Sequence, residues 1–264
     1  MASYQIAIPS YRRANEIRKT LSTIARYGLD NNNVHIFVIP EEFDAYWEEW
    51  GSNYQPCPKI LRGVRGLAAQ RRFICDHFPL GTRILFLDDD IDDFLQLDES
   101  GSVQETIERL FDLLESSNLS LGGFYPVSNK FFMKPRVIKG SAYVVGAAFC
   151  LINKRQLSAP IDEKEDYYNS CDAIRREGAI LRCEYIGIRT NYMRNKGGLQ
   201  ELRTDDSVKY GAFEIYYQFM DLLNAPKIKG AKKYWDVSFK RSPKTIVYQY
   251  QVAEVPNDPM ESHN

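Results

Sequence analysis

The chain has 264 residues, 44% of them hydrophobic and 26% charged, and a formal net charge of −1; that is enough for one large α/β domain or two small ones, and it excludes a globally basic nucleic-acid binder while leaving room for local basic patches. No apolar run approaches the roughly 20 residues that span a bilayer, and the opening MASYQIAIPS lacks the basic and apolar regions of a signal peptide, so the expectation is a soluble, cytoplasmic protein. The cysteines, Cys57, Cys75, Cys150, Cys171 and Cys183, are odd in number and lack a Cys-x-x-Cys pair, which indicates neither a disulfide framework nor a zinc site.

Tyr4 to Pro9 reads as an opening strand, followed by the turn Ser10–Tyr11–Arg12–Arg13 and a helical pattern through Ile17, Leu21, Ile24 and Ala25 that Gly28 ends. Val34 to Ile39 is a second buried strand, and Pro40–Glu41–Glu42 starts a helix carrying Phe43, Tyr46 and Trp47. Strand and helix alternating at this spacing call for parallel pairing with right-handed crossovers, and ligands in such sheets bind at the carboxyl ends of the strands. Ile60–Leu61 is a short third strand, and Gly63 to Gly66 turns into the helix from Leu67 to Ile74. Arg62, Arg65, Arg71 and Arg72 cluster near that turn, as surface charges or as guanidinium forks for a diphosphate.

The run Ile84 to Leu87 reads as a buried strand that ends in Asp88, Asp89 and Asp90, with Asp92 and Asp93 close behind. Carboxylates packed so tightly raise one another's pKa unless a cation intervenes, which points to a hard divalent ion. A calcium loop fails because Asp93 stands where its sharp turn needs glycine. An aspartyl phosphatase would open its fold with such a motif, whereas here several elements precede it. There remain the Asp-x-Asp of metal-dependent glycosyltransferases, which holds Mg²⁺ or Mn²⁺ against a nucleotide-sugar diphosphate, and a plain solvated acidic turn.

Beyond this cluster, Val103 to Leu114 is an amphipathic helix, and Leu121 to Tyr125 and Tyr143 to Ile152 read as strands. Between them Val127 to Gly140 is a basic loop with Lys130, Lys134, Arg136 and Lys139, its core residues being Phe131, Phe132 and Met133. A second acidic cluster, Asp162, Glu163, Glu165 and Asp166, precedes a helix that runs to Arg176 and stops at Gly178; such acids cap a helix, or one of them serves as a base. Ile180 to Ile188 is a further strand, and Lys196–Gly197–Gly198 suits a mobile loop over an anion. From Lys227 to Lys244 the chain carries Lys227, Lys229, Lys232, Lys233, Lys240, Arg241 and Lys244 against the single acid Asp236, interleaved with Tyr234, Trp235 and Phe239. Such a segment is either a solvated face or a surface for nucleic acid. The residues from 256 on read as a disordered tail.

Taken in order, IAIPSYRR, Glu41, GLAAQRR, FLDDD and EDYYNSCDAIRREG resemble the GT-A fold of nucleotide-sugar glycosyltransferases over roughly Tyr4 to Gly198, and most closely the TET/JBP-associated DNA-base glycosyltransferases of bacteriophages. The fold implied is α/β, a Rossmann-like, mostly parallel sheet flanked by helices. Residues 1–200 would form the glycosyltransferase domain, 201–255 a helical, basic extension packed on it, and 256–264 the tail. The resemblance implies that Ser10, Tyr11 and Arg12 line the nucleotide pocket with Glu41 near the base, that Arg71 approaches the diphosphate, and that Asp88, Asp89, Lys196 and Gly197 contact the donor. Asp88 and Asp90 would hold Mn²⁺ or Mg²⁺. Asp166 would be the base, with Glu165 the neighbouring candidate; no histidine matches a third metal ligand, since His35, His77 and His263 are poorly placed. The implied reaction passes a sugar, from a UDP-sugar or a related donor, to the hydroxymethyl group of 5-hydroxymethylcytosine or 5-hydroxymethyluracil in DNA with inversion. Lys130, Lys134, Arg136, Lys229, Lys232, Lys233 and Trp235 would bind the DNA. Two alternatives stay open: a glycan, lipid or protein acceptor, and a catalytically idle DNA-binding module.

Overall fold

The computed structural model describes residues 4–51, 57–98, 101–190, 198, 203–229 and 234–251. Lys196, Gly197, Lys232, Lys233 and the tail lie outside the described residues, and of Lys229 only the backbone is described, as the last residue of a strand. The N-terminal half alternates as its apolar runs require: β1 (Gln5–Pro9), α1 (Arg18–Arg26), β2 (Val34–Val38), the short α2 (Phe43–Tyr46), β3 (Lys59–Arg62), α3 (Leu67–His77) and β4 (Arg83–Leu87). Every residue of β2 is buried, as are all but the first of β1 and β4, because helices or loops cover both sheet faces. Each leucine- or isoleucine-sized side chain so enclosed contributes about 2 kcal/mol.

The chain continues through β5 (Ile91–Gln96), α4 (Val103–Ser116), β6 (Leu121–Tyr125), β7 (Arg136–Gly140), β8 (Ala148–Ile152), α5 (Glu165–Glu177) and β9 (Ile180–Thr190). It ends in α6 (Asp205–Gln218), β10 (Leu223–Lys229), β11 (Tyr234–Phe239) and β12 (Lys244–Gln249). The large sheet has the order β12-β7-β9-β6-β8-β4-β1-β2-β3, with β5 pairing to β9. From β4 outward, β1, β2 and β3 pair in parallel, and β6 pairs in parallel with β9. β5, β7 and β8 run against these strands, so the sheet is mostly parallel in strand direction. The carboxyl ends of β1, β2, β4 and β6 therefore share one edge.

Three segments depart from the sequence reading. Asp92 and Asp93 lie within β5, whose Ile91 and Phe94 are buried, rather than in a purely acidic turn. The basic loop contains β7, which buries Val137 and Ile138 between β9 and β12. The expected strand from Tyr143 is strand only from Ala148 onward, since residues 143–147 leave the ladder to run beside a cleft. At the C-terminal end, α6 packs on the β10–β11 hairpin around Ala212, Ile215, Phe219 and Val237, and β12 joins the large sheet through β7.

Candidate active site

The aspartate run forms a tight turn where β4 leaves the sheet. The Asp88 N–H donates to the Ala147 carbonyl (2.8 Å), and α1 clamps the turn from the other side. Thr20 Oγ1 donates to the Asp88 carbonyl (2.8 Å) and accepts from the Ile91 N–H (2.9 Å), while Thr23 Oγ1 donates to the Ile91 carbonyl (3.0 Å). Asp89 and Asp90 are buried. Ser10 donates to Asp89 (2.5 Å) and Arg13 reaches both carboxylates, at 2.7 Å and 3.1 Å. Ser10 Oγ also shares a hydrogen bond with the Tyr46 hydroxyl (2.7 Å), which accepts from the Arg13 N–H. Asp88 is the half-buried member and lies 3.3 Å from Arg71. Burial pushes its carboxyl up to about 8 against the opposing pull of Arg71, and the neighbouring Asp90 and Asp89 charges add to the rise.

The opposite wall is the head of α5. Glu165 is buried, with one oxygen on the Arg71 guanidinium and the other accepting from Asn169 (2.7 Å). Burial raises its carboxyl, and Arg71 pulls it down. Asp166 is half-buried; one of its oxygens accepts from the Tyr143 hydroxyl and from the Gly146 N–H (3.1 Å). At Gly146 a Cβ would sit 3.0 Å from Glu165 Oε1 and 3.2 Å from both Arg71 Nη1 and Asp166 Cβ. A side chain here would press on the two acids and the guanidinium, so glycine suits the close passage of the backbone between them. Tyr143 stacks on Tyr167 with centroids 4.2 Å apart, and Tyr167 stacks in turn on Phe239 at 6.0 Å. Lys164 precedes α5 in the left-handed region and ties it to the hairpin through Asp236 (2.8 Å).

Between these walls lies a cleft of about 660 Å³, within the range of small-molecule and nucleotide sites. Ser10, Tyr11, Arg71, Asp88, Asp89, Asp90, Glu165 and Asp166 all line it, so most of the sequence-derived residues converge. Arg12 and Glu41 do not. Arg12 takes a positive φ of 55° that leaves it exposed over the Tyr11 ring, and Arg13 enters the cleft in its place. Glu41 is exposed, and its neighbour Glu42 accepts from the Arg12 N–H (2.8 Å). Arg71 is fully enclosed, its guanidinium committed to Glu165, Asp88 and the Gly146 carbonyl (2.8 Å), so it braces the two walls from behind; among the arginines near the expected anion turn, the exposed Arg65 lines the cleft. Gly198, next to Lys196 and Gly197, lines the cleft and donates to the Tyr11 carbonyl (3.0 Å).

The acids before α5 do not cap it from Asp162 or Glu163. Asp162 reaches across to accept from the Ala68 N–H (2.8 Å) at the head of α3, and Glu163 pairs with Arg203 (2.7 Å). Sequence reasoning missed Thr20, Thr23, Arg13 and Tyr143. Only the threonines left a signal, as polar residues three apart on the buried face of α1. Of the residues expected at DNA, Lys130 and Lys134 are exposed, Arg136 pairs with the buried Glu184 (2.7 Å), and Trp235 packs on Phe213 in the satellite core.

The lining carries eight carboxylates against five basic side chains. No cluster of three or more His, Cys, Asp and Glu side chains suited to a metal ion occurs among the described residues. His35 is buried in an aromatic cluster and His77 is exposed, both away from the lining, while His263 lies outside the described residues. Two hard carboxylates, Asp88 and Asp90, fit Mg²⁺ or Mn²⁺ carried in on a diphosphate, since these ions bind through one or two carboxylates with phosphate oxygens and water completing the shell. They do not fit a three-ligand protein cage.

Residues 4–119 match the model of the TET-Associated Glycosyltransferase family. No curated protein matches the sequence. Among solved structures, S. aureus TarS 1–349 is 13% identical with a TM-score of 0.50, the match covering 81% of this chain and 65% of that one. The mannosyltransferase PcManGT from Pyrobaculum calidifontis, in complex with GDP-Man and Mn²⁺, is 11% identical with a TM-score of 0.48, covering 70% and 55%. The chain thus spans less than two thirds of the length of either. The matched segment runs from β1 through the aspartate turn to the end of α4, and with the sheet built around it the chain has the GT-A fold and is similar over residues 4–119, less than half of its length, to the TET-Associated Glycosyltransferase family.

Proposed function

We propose that the protein transfers a sugar from a nucleotide-diphosphate donor, a UDP-sugar by preference, to the hydroxymethyl group of 5-hydroxymethylcytosine or 5-hydroxymethyluracil in DNA, with inversion. The observation that carries this reading is the opposition of Asp88, at the end of β4, to Asp166, at the head of α5, across one cleft. The family match over residues 4–119 supports the choice of acceptor.

In this reading the nucleotide lies against Ser10 and Tyr11, with Arg13 and Arg65 on the diphosphate side. Asp88 and Asp90 would hold Mn²⁺ or Mg²⁺, which supplies the positive charge that a departing diphosphate needs. Asp166 takes the proton from the acceptor hydroxymethyl, whose oxygen attacks the anomeric carbon. The carbon–oxygen bond to the diphosphate breaks as the new one forms, and its electron pair leaves with the diphosphate. Attack from the opposite face inverts the centre. Tyr143 and the Gly146 N–H fix the direction in which the Asp166 carboxylate points. Glu165, held by Arg71 and Asn169, keeps α5 in register with the aspartate turn.

Incubation with a duplex containing 5-hydroxymethylcytosine or 5-hydroxymethyluracil, Mn²⁺ and a panel of UDP- and GDP-sugars tests the assignment. Digestion and mass spectrometry should reveal a hexose-bearing nucleoside. Absence of any such nucleoside with every donor, alongside measurable donor hydrolysis, would refute the DNA acceptor.

A further inference from the structure

The loop that follows β6 starts at Pro126, on the rim of the cleft, and carries two large apolar side chains outward. Phe131 is 86% exposed and Phe132 51% exposed, their rings edge to face with centroids 5.1 Å apart. The sequence reading makes this pair the loop's core together with Met133, but Met133 alone is buried. Its Cε occupies the space that a Cβ on Gly187 would need, at 2.6 Å, and Val127 O lies 3.0 Å from the same point. The Lys134 N–H donates to the Glu184 carbonyl (2.9 Å). The base of the loop is thus anchored on β9 while its tip presents the phenyl rings to solvent. Two adjacent exposed phenylalanines make a contiguous apolar patch, the kind of surface that marks an interaction site.

Charge identifies the partner. Residues 126–136 contain Lys130, Lys134 and Arg136 and no acid. Glu184, beneath the base of the loop, is buried, which by itself would raise its carboxyl, but Arg136 (2.7 Å) and Arg182 (2.5 Å) pair with it and hold it below its ordinary range. An aromatic pair flanked in sequence by two exposed lysines, Lys130 and Lys134, matches a polyanion that also offers stacking faces. Phe131 lies five residue steps beyond Pro126, a reach of at most about 18 Å, or roughly half a turn of duplex DNA. A base undergoing chemistry in the cleft must leave its stack, and the gap needs filling by an apolar wedge.

We propose that Phe131 and Phe132 form a wedge that enters the base stack beside the target nucleotide, with Lys130 and Lys134 gripping the flanking phosphates. This rests on the DNA acceptor argued above. The test uses the full chain and a duplex with one 5-hydroxymethylcytosine beside 2-aminopurine, a fluorophore that brightens on unstacking. The wild type should brighten it on binding, and the double variant Phe131→Ala/Phe132→Ala should not. Transfer to the duplex should fall about 10- to 100-fold in the variant, while transfer to the same nucleotide placed opposite an abasic site, unpaired and so cheaper to extrude, should fall less than about 3-fold. Lys130→Ala/Lys134→Ala should instead weaken both duplexes alike and flatten the salt dependence by about two phosphate contacts. Equal loss on both duplexes in the phenylalanine variant, or full retention on both, overturns the wedge while the acceptor assignment stands. No transfer by the wild type to any hydroxymethylated DNA overturns the acceptor assignment and the wedge with it. Phenylalanine-dependent binding to phosphatidylserine vesicles, with DNA transfer unaffected, assigns the loop to a membrane surface and also overturns the wedge.

Discussion

Tyr143 and the Gly146 N–H grip one oxygen of Asp166, and the Tyr167 N–H reaches the other (2.9 Å). A carboxylate so held keeps its direction but retains lone pairs for a proton. Asp166→Asn should keep donor binding and lose transfer by about 10²- to 10⁴-fold, as read from donor titration and single-turnover rates; near-normal turnover would move the base elsewhere. Tyr143→Phe removes one charge-assisted hydrogen bond, worth about 1.5–3 kcal/mol, and should lower kcat about 10- to 100-fold with the donor KM unchanged. A different residue governs acid sensitivity. Burial lowers the His35 imidazole to about 4, and its Nδ1 lies 3.0 Å from the Asn33 carbonyl among Phe37, Phe78 and His77. The unfolded chain binds this proton below the usual 6.5 and the folded one only near 4, so the stability His35 contributes above pH 6.5 is lost as pH falls, by about 2 kcal/mol at pH 5. Burial of Asp88 and Glu165 acts in the opposite sense, which makes the comparison with His35→Gln the cleaner measurement. In urea melts the gap between wild type and variant should narrow by that amount from pH 7.5 to pH 5, and a constant gap would exclude the imidazole.

Among the elements, α1 does more than cover β1. Its Thr20 satisfies both a carbonyl and an N–H of the aspartate turn, so Thr20→Val leaves two buried backbone groups without their partner. The expected cost is about 1–3 kcal/mol in urea unfolding, together with weaker donor binding, whereas Thr23→Val spares the Ile91 N–H and should disturb the donor less. The parallel strands were legible because β1, β2 and β4 are continuous apolar runs buried on both faces. β5 and β7 were not, because IDDFLQ and RVIKG carry charges at their half-exposed positions and bury only two residues each. The same physics hid the site's finer detail. Which of Arg12 and Arg13 enters the cleft depends on a positive φ at Arg12 that no residue type announces. Asp162 capping α3 rather than α5 depends on a contact 94 residues apart in sequence.

At the scale of the whole molecule, a chain of net charge −1 gathers eight carboxylates and five basic groups into one cleft. That local excess of negative charge disfavours a bare diphosphate, whose own charges would be repelled. On the proposed assignment a divalent cation alone would meet two protein carboxylates, Asp88 and Asp90, and Arg13 already engages Asp90. Each ligand supplies what the other lacks, so binding should be strongly coupled. Thermal unfolding with nothing added, with UDP, with Mn²⁺ and with both measures this directly. UDP alone and Mn²⁺ alone should each move Tm little, whereas the pair at 100 times its apparent Kd should stabilise the fold by about 2.7 kcal/mol. Asp88→Asn should abolish the joint effect, because the carboxyl that burial raises to about 8 is the one a cation would return to its charged form. A full shift with Mn²⁺ alone would mean that the chain completes the coordination shell by itself, and a full shift with UDP alone would mean that Arg13 and Arg65 suffice for the diphosphate. Either result would separate the cation from the aspartate turn.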